Sequence, residues 1–260
     1  MKKALAVLCC ALMCLSLVSC GSSSSGAPAS KPEATPAPEQ ESIYFDQLGD
    51  ITPEAVEVVY NQVDMISHMG GWAHLRIFVE VKNVSDEAIY VGSLNSYTLT
   101  KTDGTVLDEG YFNWVSDHEV EPGETFYLYD YTTTEDLQQE EQAVCVPEVD
   151  DAMRLGEDPL HVFHQVSDVQ VTDSDDGDLL YLSGTLHCGD LAEGIADVTM
   201  TCVGYDKSGK PVCFFTEIID KPAANSDVEF TMMAEVYGSV AAKDLSNDLQ
   251  VCAYSNIPMS

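Results

Sequence analysis

Two short stretches fix most of what this chain can fold into. Residues 74–82 read HLRIFVEVK and residues 179–187 read LLYLSGTLH. In the first, Leu75, Ile77, Val79 and Val81 alternate with His74, Arg76, Glu80 and Lys82, and Phe78 is the one large apolar residue on the polar side. In the second, Leu180, Leu182 and Leu186 alternate in the same way. A period of two belongs to a strand with one face buried. No stretch carries a long helical period; the best helical candidate is a short turn at Glu135–Glu141, with Thr134 as its N-cap.

The two stretches also superpose. An offset of 105 puts Leu75 on Leu180, Ile77 on Leu182, Val81 on Leu186, Asn83 on Cys188 and Gly104 on Gly209. An offset of 107 puts Ala143-Val144-Cys145 on Gln250-Val251-Cys252. The loop Val120–Glu124 before Phe126–Tyr131 parallels Ala223–Ser226 before Val228–Met232. So slow a drift reads as a tandem duplication, with one repeat over residues 45–149 and the other over 155–260. Units of about 100 residues with turns every ~8–12 indicate immunoglobulin-like sandwiches. The expected fold is therefore all-β: two tandem immunoglobulin-like β-sandwich domains after a signal peptide and a disordered linker.

Repeat 2 carries Gly184-Thr185-Leu186-His187-Cys188 and then Tyr205-Asp206-Lys207-Ser208-Gly209. In these pieces it resembles the FxLYD domains of bacterial lipoproteins, which have a Gly-x-Val-x-Asn strand end and a strand ending Tyr-Asp before a tight Gly turn. Cys202 and Gly204 stand at the motif's Phe and Leu positions, and Cys188 replaces its Asn. Repeat 1 keeps the strand end Val79-Glu80-Val81-Lys82-Asn83 and a Pro-Gly-Glu loop, but has Thr100-Lys101 where Tyr-Asp would stand. The resemblance implies an extracytoplasmic module and no catalytic residues.

The N-terminus points to the same compartment. Lys2 and Lys3 precede an apolar run over residues 4–18, and Leu17-Val18-Ser19-Cys20 resembles the lipobox of bacterial lipoproteins. That implies cleavage after residue 19 and lipidation of Cys20. The acyl chains of such an anchor contribute roughly 0.8 kcal/mol per buried CH2. Residues 20–44 hold the lipidated cysteine and a Ser/Pro/Ala-rich linker. Its 22 residues from 21 to 42 would span ~25 Å as a coil or ~70 Å as polyproline II. The expected location is the extracytoplasmic face of the cell membrane.

Charge narrows the partners. With 11 Lys+Arg against 44 Asp+Glu, the formal net charge is -33, so nucleic acid is excluded as a partner and anionic lipid would repel the side chains. An acidic run, Asp173-Ser174-Asp175-Asp176-Gly177-Asp178, offers Asp173, Asp175, Asp176 and Asp178 as Ca2+ ligands. Against that, Thr172, Ser174 and Ser183 stand where an EF-hand needs acids, and a solvated loop is the plainer reading.

Five cysteines follow Cys20: Cys145, Cys188, Cys202, Cys213 and Cys252. An odd number without a Cys-x-x-Cys pair suits small buried hydrophobes better than a metal site. A two-residue loop at Lys207-Ser208 would set Cys202 opposite Cys213. A three-residue loop with Gly209 left-handed, which suits the glycine better, would set them on opposite faces. His161 and His164 are three apart, and His68 and His74 flank a glycine turn, patterns that suit no metal. No nucleophile-elbow, zincin or phosphate-loop motif is present, so the chain reads as no enzyme.

Along Phe126–Tyr131 the tyrosines Tyr127, Tyr129 and Tyr131 share one face. That face is either a cross-strand ladder or an outward contact surface for an envelope or host protein or a glycan. The expectation is thus a lipid-anchored envelope lipoprotein with a non-catalytic binding or scaffolding role. The alternative is a solute or Ca2+ receptor accessory to a transporter.

Overall fold

The computed structural model describes residues 48–155, 161–189, 197–247 and 249–256. The protein is all-β, and every sheet pairing is antiparallel. The first half contributes β1 (Leu48–Ile51), β2 (Val56–Met69), β3 (Trp72–Asn83), β4 (Ile89–Val91), β5 (Ser96–Lys101) and β6 (Val106–Tyr111). It continues with β7 (Trp114–Val115), β8 (Glu119–Val120), β9 (Thr125–Thr134), β10 (Ala143–Glu148) and β11 (Ala152–Leu155). These form three sheets, ordered β2-β3-β9-β7, β10-β5-β6 and β1-β11-β4-β8. Because β11 pairs with β1 and β4, strands of the first half continue to Leu155.

The second half is one curled seven-stranded sheet. Its strands are β12 (His161–Phe163), β13 (Gln165–Asp173), β14 (Leu179–His187), β15 (Val198–Tyr205), β16 (Pro211–Ile219), β17 (Asp227–Glu235) and β18 (Val251–Asn256). They run in the order β12-β18-β15-β16-β17-β14-β13.

Strand order shows how alike the halves are. The run β18-β15-β16-β17-β14-β13 matches β10-β5-β6 followed by β9-β3-β2. Within that run the join differs: β16 meets β17 at Thr216–Met233, whereas β6 and β9 are linked by the Thr132 hydroxyl donating to Asp108 Oδ2 at 2.9 Å. The sheet β1-β11-β4-β8 has no counterpart among the described residues of the second half. The tight turns repeat bond for bond. Gly104 N donates to Lys101 O and Gly209 N to Asp206 O, each at 3.0 Å. Lys101 N donates to Thr105 O and Asp206 N to Lys210 O, each at 2.8 Å. Gly104 and Gly209 sit at φ +89 and +87, the left-handed region that a glycine enters without strain. At the strand ends, Asn83 N donates to Glu124 O and Cys188 N to Ser226 O, both at 2.9 Å.

Each half has its own core. In the first, Leu75, Ile77, Val79 and Val81 of β3 meet Phe126 and Leu128 of β9 and, across the core, Tyr97 and Leu99 of β5 and Cys145 of β10. In the second, Leu180, Leu182 and Leu186 of β14 meet Met200 and Cys202 of β15, Cys213 and Phe215 of β16, and Phe230 and Met232 of β17. β14 alternates buried and half-buried residues along its whole length, as its sequence period requires. β3 does not alternate: Arg76 and Phe78, on its expected polar face, are buried too.

Asn83, wholly buried, holds the end of β3. Its amide donates to Glu87 O at 2.9 Å and Val120 O at 3.0 Å, while its Oδ1 accepts from the Ser85 backbone and hydroxyl.

Three local expectations are corrected. Residues 135–141 form no helix but an irregular turn; the Thr134 hydroxyl does accept from Asp136 N at 3.2 Å, and Leu137 is drawn into the core. Cys145 and Cys252 are not equivalent: Cys145 faces the first core, whereas Ala253 and Val251 face the second and Cys252 points to its other side. Cys202 and Cys213 share a face despite the left-handed Gly209. The register pairs Cys202 with Phe215 and Gly204 with Cys213, so the two thiols lie diagonally within one core. All five described cysteines are free thiols.

Candidate functional site

The site grows from the second face of β3 and β9. On β9, Phe126 and Leu128 enter the first core, so Tyr127, Tyr129 and Tyr131 must project from the opposite side. On β3 the same side carries His74, Arg76 and Phe78, in register with Thr133, Tyr131 and Tyr129. In the second half, core residues Cys213 and Phe215 leave Phe214 on the outer face of β16, beside Val203 and Tyr205 of β15.

These two outer faces pack on each other. Phe78, Tyr127, Tyr129, Val203 and Phe214 form a third buried cluster, with Trp114, Tyr131 and Tyr205 at its margin. The tyrosine face is therefore not an outward contact surface: Tyr127 is 8% exposed and Tyr129 7%. The Tyr129 ring stacks on Phe214, with centroids 4.6 Å apart. Tyr127 meets Tyr205 edge-on at 6.0 Å. Tyr131 is half-buried and donates to the Tyr237 hydroxyl at 3.3 Å. Burial pushes all three phenol groups above their ordinary range, with the hydrogen bond to Tyr205 adding at Tyr127 and that to Tyr237 at Tyr131.

Polar contacts frame the contact. Thr201 Oγ1 donates to Ser116 O at 2.8 Å. Asp64 of β2 binds Arg76 of β3 and Lys210 of the second half, each at 3.3 Å. At the other end, His161 Nδ1 lies 2.8 Å from Glu119 Oε1, both side chains nearly buried. The rings of Tyr90, His118 and Tyr254 crowd around the His161 ring. Burial lowers the pKa of His118 and pushes Asp117 up to about 6.

Where the two faces diverge, a cleft of about 640 Å3 opens, within the range of small-molecule sites of roughly 300–1,000 Å3. Its lining includes the stacked pair Tyr129 and Phe214, with Trp114, Tyr131, Ile218 and Met233. Glu217 and Glu235 are the charged residues of the lining, and none of the lining residues is basic. Glu217 Oε1 accepts from Ile218 N at 2.9 Å and Glu235 Oε2 from the Tyr237 hydroxyl at 3.0 Å. A second cleft of about 740 Å3 beside the Asp206–Gly209 turn is more polar and includes Cys202 and Cys252. Burial pushes both of those thiols up to about 12.

Two carboxylates of the acidic loop, those of Asp173 and Asp176, hold backbone or hydroxyl groups. Asp173 Oδ1 accepts from Ala242 N at 2.8 Å, and Asp176 Oδ1 accepts from the Ser174 hydroxyl at 2.7 Å and Asp178 N at 3.2 Å. Among the described residues, no group of three or more His, Cys, Asp or Glu side chains converges as a metal site. Cys20 and the linker lie outside the described residues.

Sequence reasoning found Tyr129 and Tyr131, with Trp114 in the same aromatic cluster of the first repeat, but missed Phe214, Glu217 and Glu235, which arrive from other strands. Only Phe78, apolar on a polar face, signalled a second buried surface. No protein-family model matches the chain, and neither does any curated protein.

Proposed function

We propose that this protein is a lipid-anchored lipoprotein of the bacterial envelope with a non-catalytic binding role, and that the cleft between its halves is the ligand site. The observation that carries the binding reading is that cleft: aromatic and apolar walls with two carboxylates, on a surface whose remaining tyrosine area is already used to hold the halves together. The location rests on Leu17-Val18-Ser19-Cys20 after the apolar run and on the linker that follows. We read each half as an immunoglobulin-like sandwich related to FxLYD modules. The repeated strand order and the facing of β10-β5-β6 and β2-β3-β9 across one core support that reading.

The test has two arms. Metabolic labelling with a fatty-acid analogue should mark the native chain and not Cys20→Ser, which should be released from cells. Proximity labelling on intact cells should then mark extracytoplasmic neighbours; labelling of cytoplasmic proteins alone would reject the location. The cleft's volume favours a solute-receptor role over a scaffold. Solute-binding partners such as a transporter among the labelled neighbours would support that role.

A further inference from the structure

We infer that the ligand of the interhalf cleft is a small organic ammonium ion with an apolar body; the inference rests on the cleft being a binding site. Charge complementarity carries it. The lining holds two carboxylates and no Lys, Arg or His. Glu217 and Glu235 each use one oxygen in the hydrogen bonds described, which leaves Glu217 Oε2 and Glu235 Oε1 unengaged among the described residues.

Glu235 is linked to Tyr131 through Tyr237, whose hydroxyl accepts from Tyr131 at 3.3 Å and donates to Glu235 Oε2 at 3.0 Å. Arg76 is not among the lining residues: it is buried against Phe78, with Asp64 at 3.3 Å, although its charge also reaches Tyr129. A carboxylate ligand would meet two like charges, and a neutral one would gain no attraction from them.

The walls suit the rest of such a ligand. Tyr129 and Phe214 are spent on each other, but Trp114 and Tyr131 are half-exposed. Tyr131 already stacks on Tyr237, so the Trp114 ring is the one to attract an ammonium group, and an apolar body is accommodated by Ile218 and Met233. The net charge of -33 also concentrates cations around the protein before they bind.

Three probes with a shared phenethyl body test this: phenethylammonium, phenethyl alcohol and 3-phenylpropionate, whose head groups are cationic, neutral and anionic. The full chain in non-ionic detergent carries two tryptophans, so Trp72→Phe leaves Trp114 as the reporter. Saturation-transfer NMR on the unaltered chain gives a second readout, should Trp72→Phe fold poorly. The amine should perturb Trp114 saturably, about tenfold more tightly than the alcohol, with weaker binding as salt rises and no response to the carboxylate. Glu235→Gln, which keeps an acceptor for Tyr237, should weaken amine binding about tenfold without lowering the melting temperature. Equal response to amine and alcohol would overturn the ammonium assignment and leave the cleft as a ligand site. No response to any probe would remove both.

Discussion

The ring of Tyr129 lies flat on that of Phe214, its plane within 7° of parallel, so two residues 85 positions apart in sequence hold the halves face to face. Tyr129 also tilts against Phe78 at 5.0 Å. It is thus clamped between its neighbour on β3 and the opposite sheet.

This clamp has an energetic signature. Tyr129→Ala and Phe214→Ala should each lower unfolding free energy by about 3–5 kcal/mol, as large aromatic truncations in cores do. The double mutant should show a coupling of about 0.5–1.5 kcal/mol from the lost ring pair. Guanidinium unfolding of the four-member cycle measures it. Strict additivity would mean the rings do not meet in solution.

Gly204 should resist replacement for a reason specific to its partner. It lies opposite Cys213, and a Cβ there would run into the Cys213 sulfur. Gly204→Ala should therefore cost about 1–3 kcal/mol by overpacking. Adding Cys213→Ala should recover part of that loss, because the clashing sulfur is gone. Thermal melts of the single and double variants decide; a double variant worse than the sum of its parts would refute the clash.

That pair also shows what the sequence could and could not reveal. Period two on residues 179–187 was legible because one buried face of β14 dictates every second residue. The Gly104 and Gly209 turns were legible because left-handed backbone selects glycine. The face shared by Cys202 and Cys213 was not, since it depends on a register irregularity between Gly204 and Tyr205 that no residue type announces. Nor was the burial of Tyr127 and Tyr129, because alternation gives the side of a strand and not what covers it. The cleft is hidden for the same reason: Trp114, Tyr131, Phe214 and Glu235 come from four strands or their ends, brought together by sheet packing.

The thiols should be silent in the folded protein. Burial pushes Cys145, Cys202, Cys213 and Cys252 up to about 12 and also raises Cys188. At pH 8 a thiol-reactive disulfide reagent should label them orders of magnitude more slowly than a free cysteine of pKa ~8.5. Denaturant without reductant should then expose all five thiols of the described region, counted by intact mass after alkylation. Fewer than five would reveal a bridge.

The joint around His161 should give the protein a pH signature with two opposing parts. Desolvation pushes Asp117 up to about 6, far above its unfolded value, with Glu119 and Glu124 adding repulsion and His161 opposing it. A carboxyl whose folded pKa is raised stabilises the fold fully only below its unfolded pKa, and that contribution is lost as pH rises through 6. His118 runs the other way: burial lowers its pKa, so its contribution is present above the unfolded value and is lost as pH falls. Asp117→Asn isolates the first part. Its side-chain oxygen can still accept from Glu119 N, as Asp117 Oδ1 does at 3.1 Å, while the buried charge disappears. The variant should be more stable than the parent at pH 8, by up to about 3 kcal/mol, and the gain should fade between pH 6 and 4. Unfolding curves at pH 8 and pH 4.5 provide the comparison. A gain of the same size at both would show that packing, and not the Asp117 charge, sets the difference.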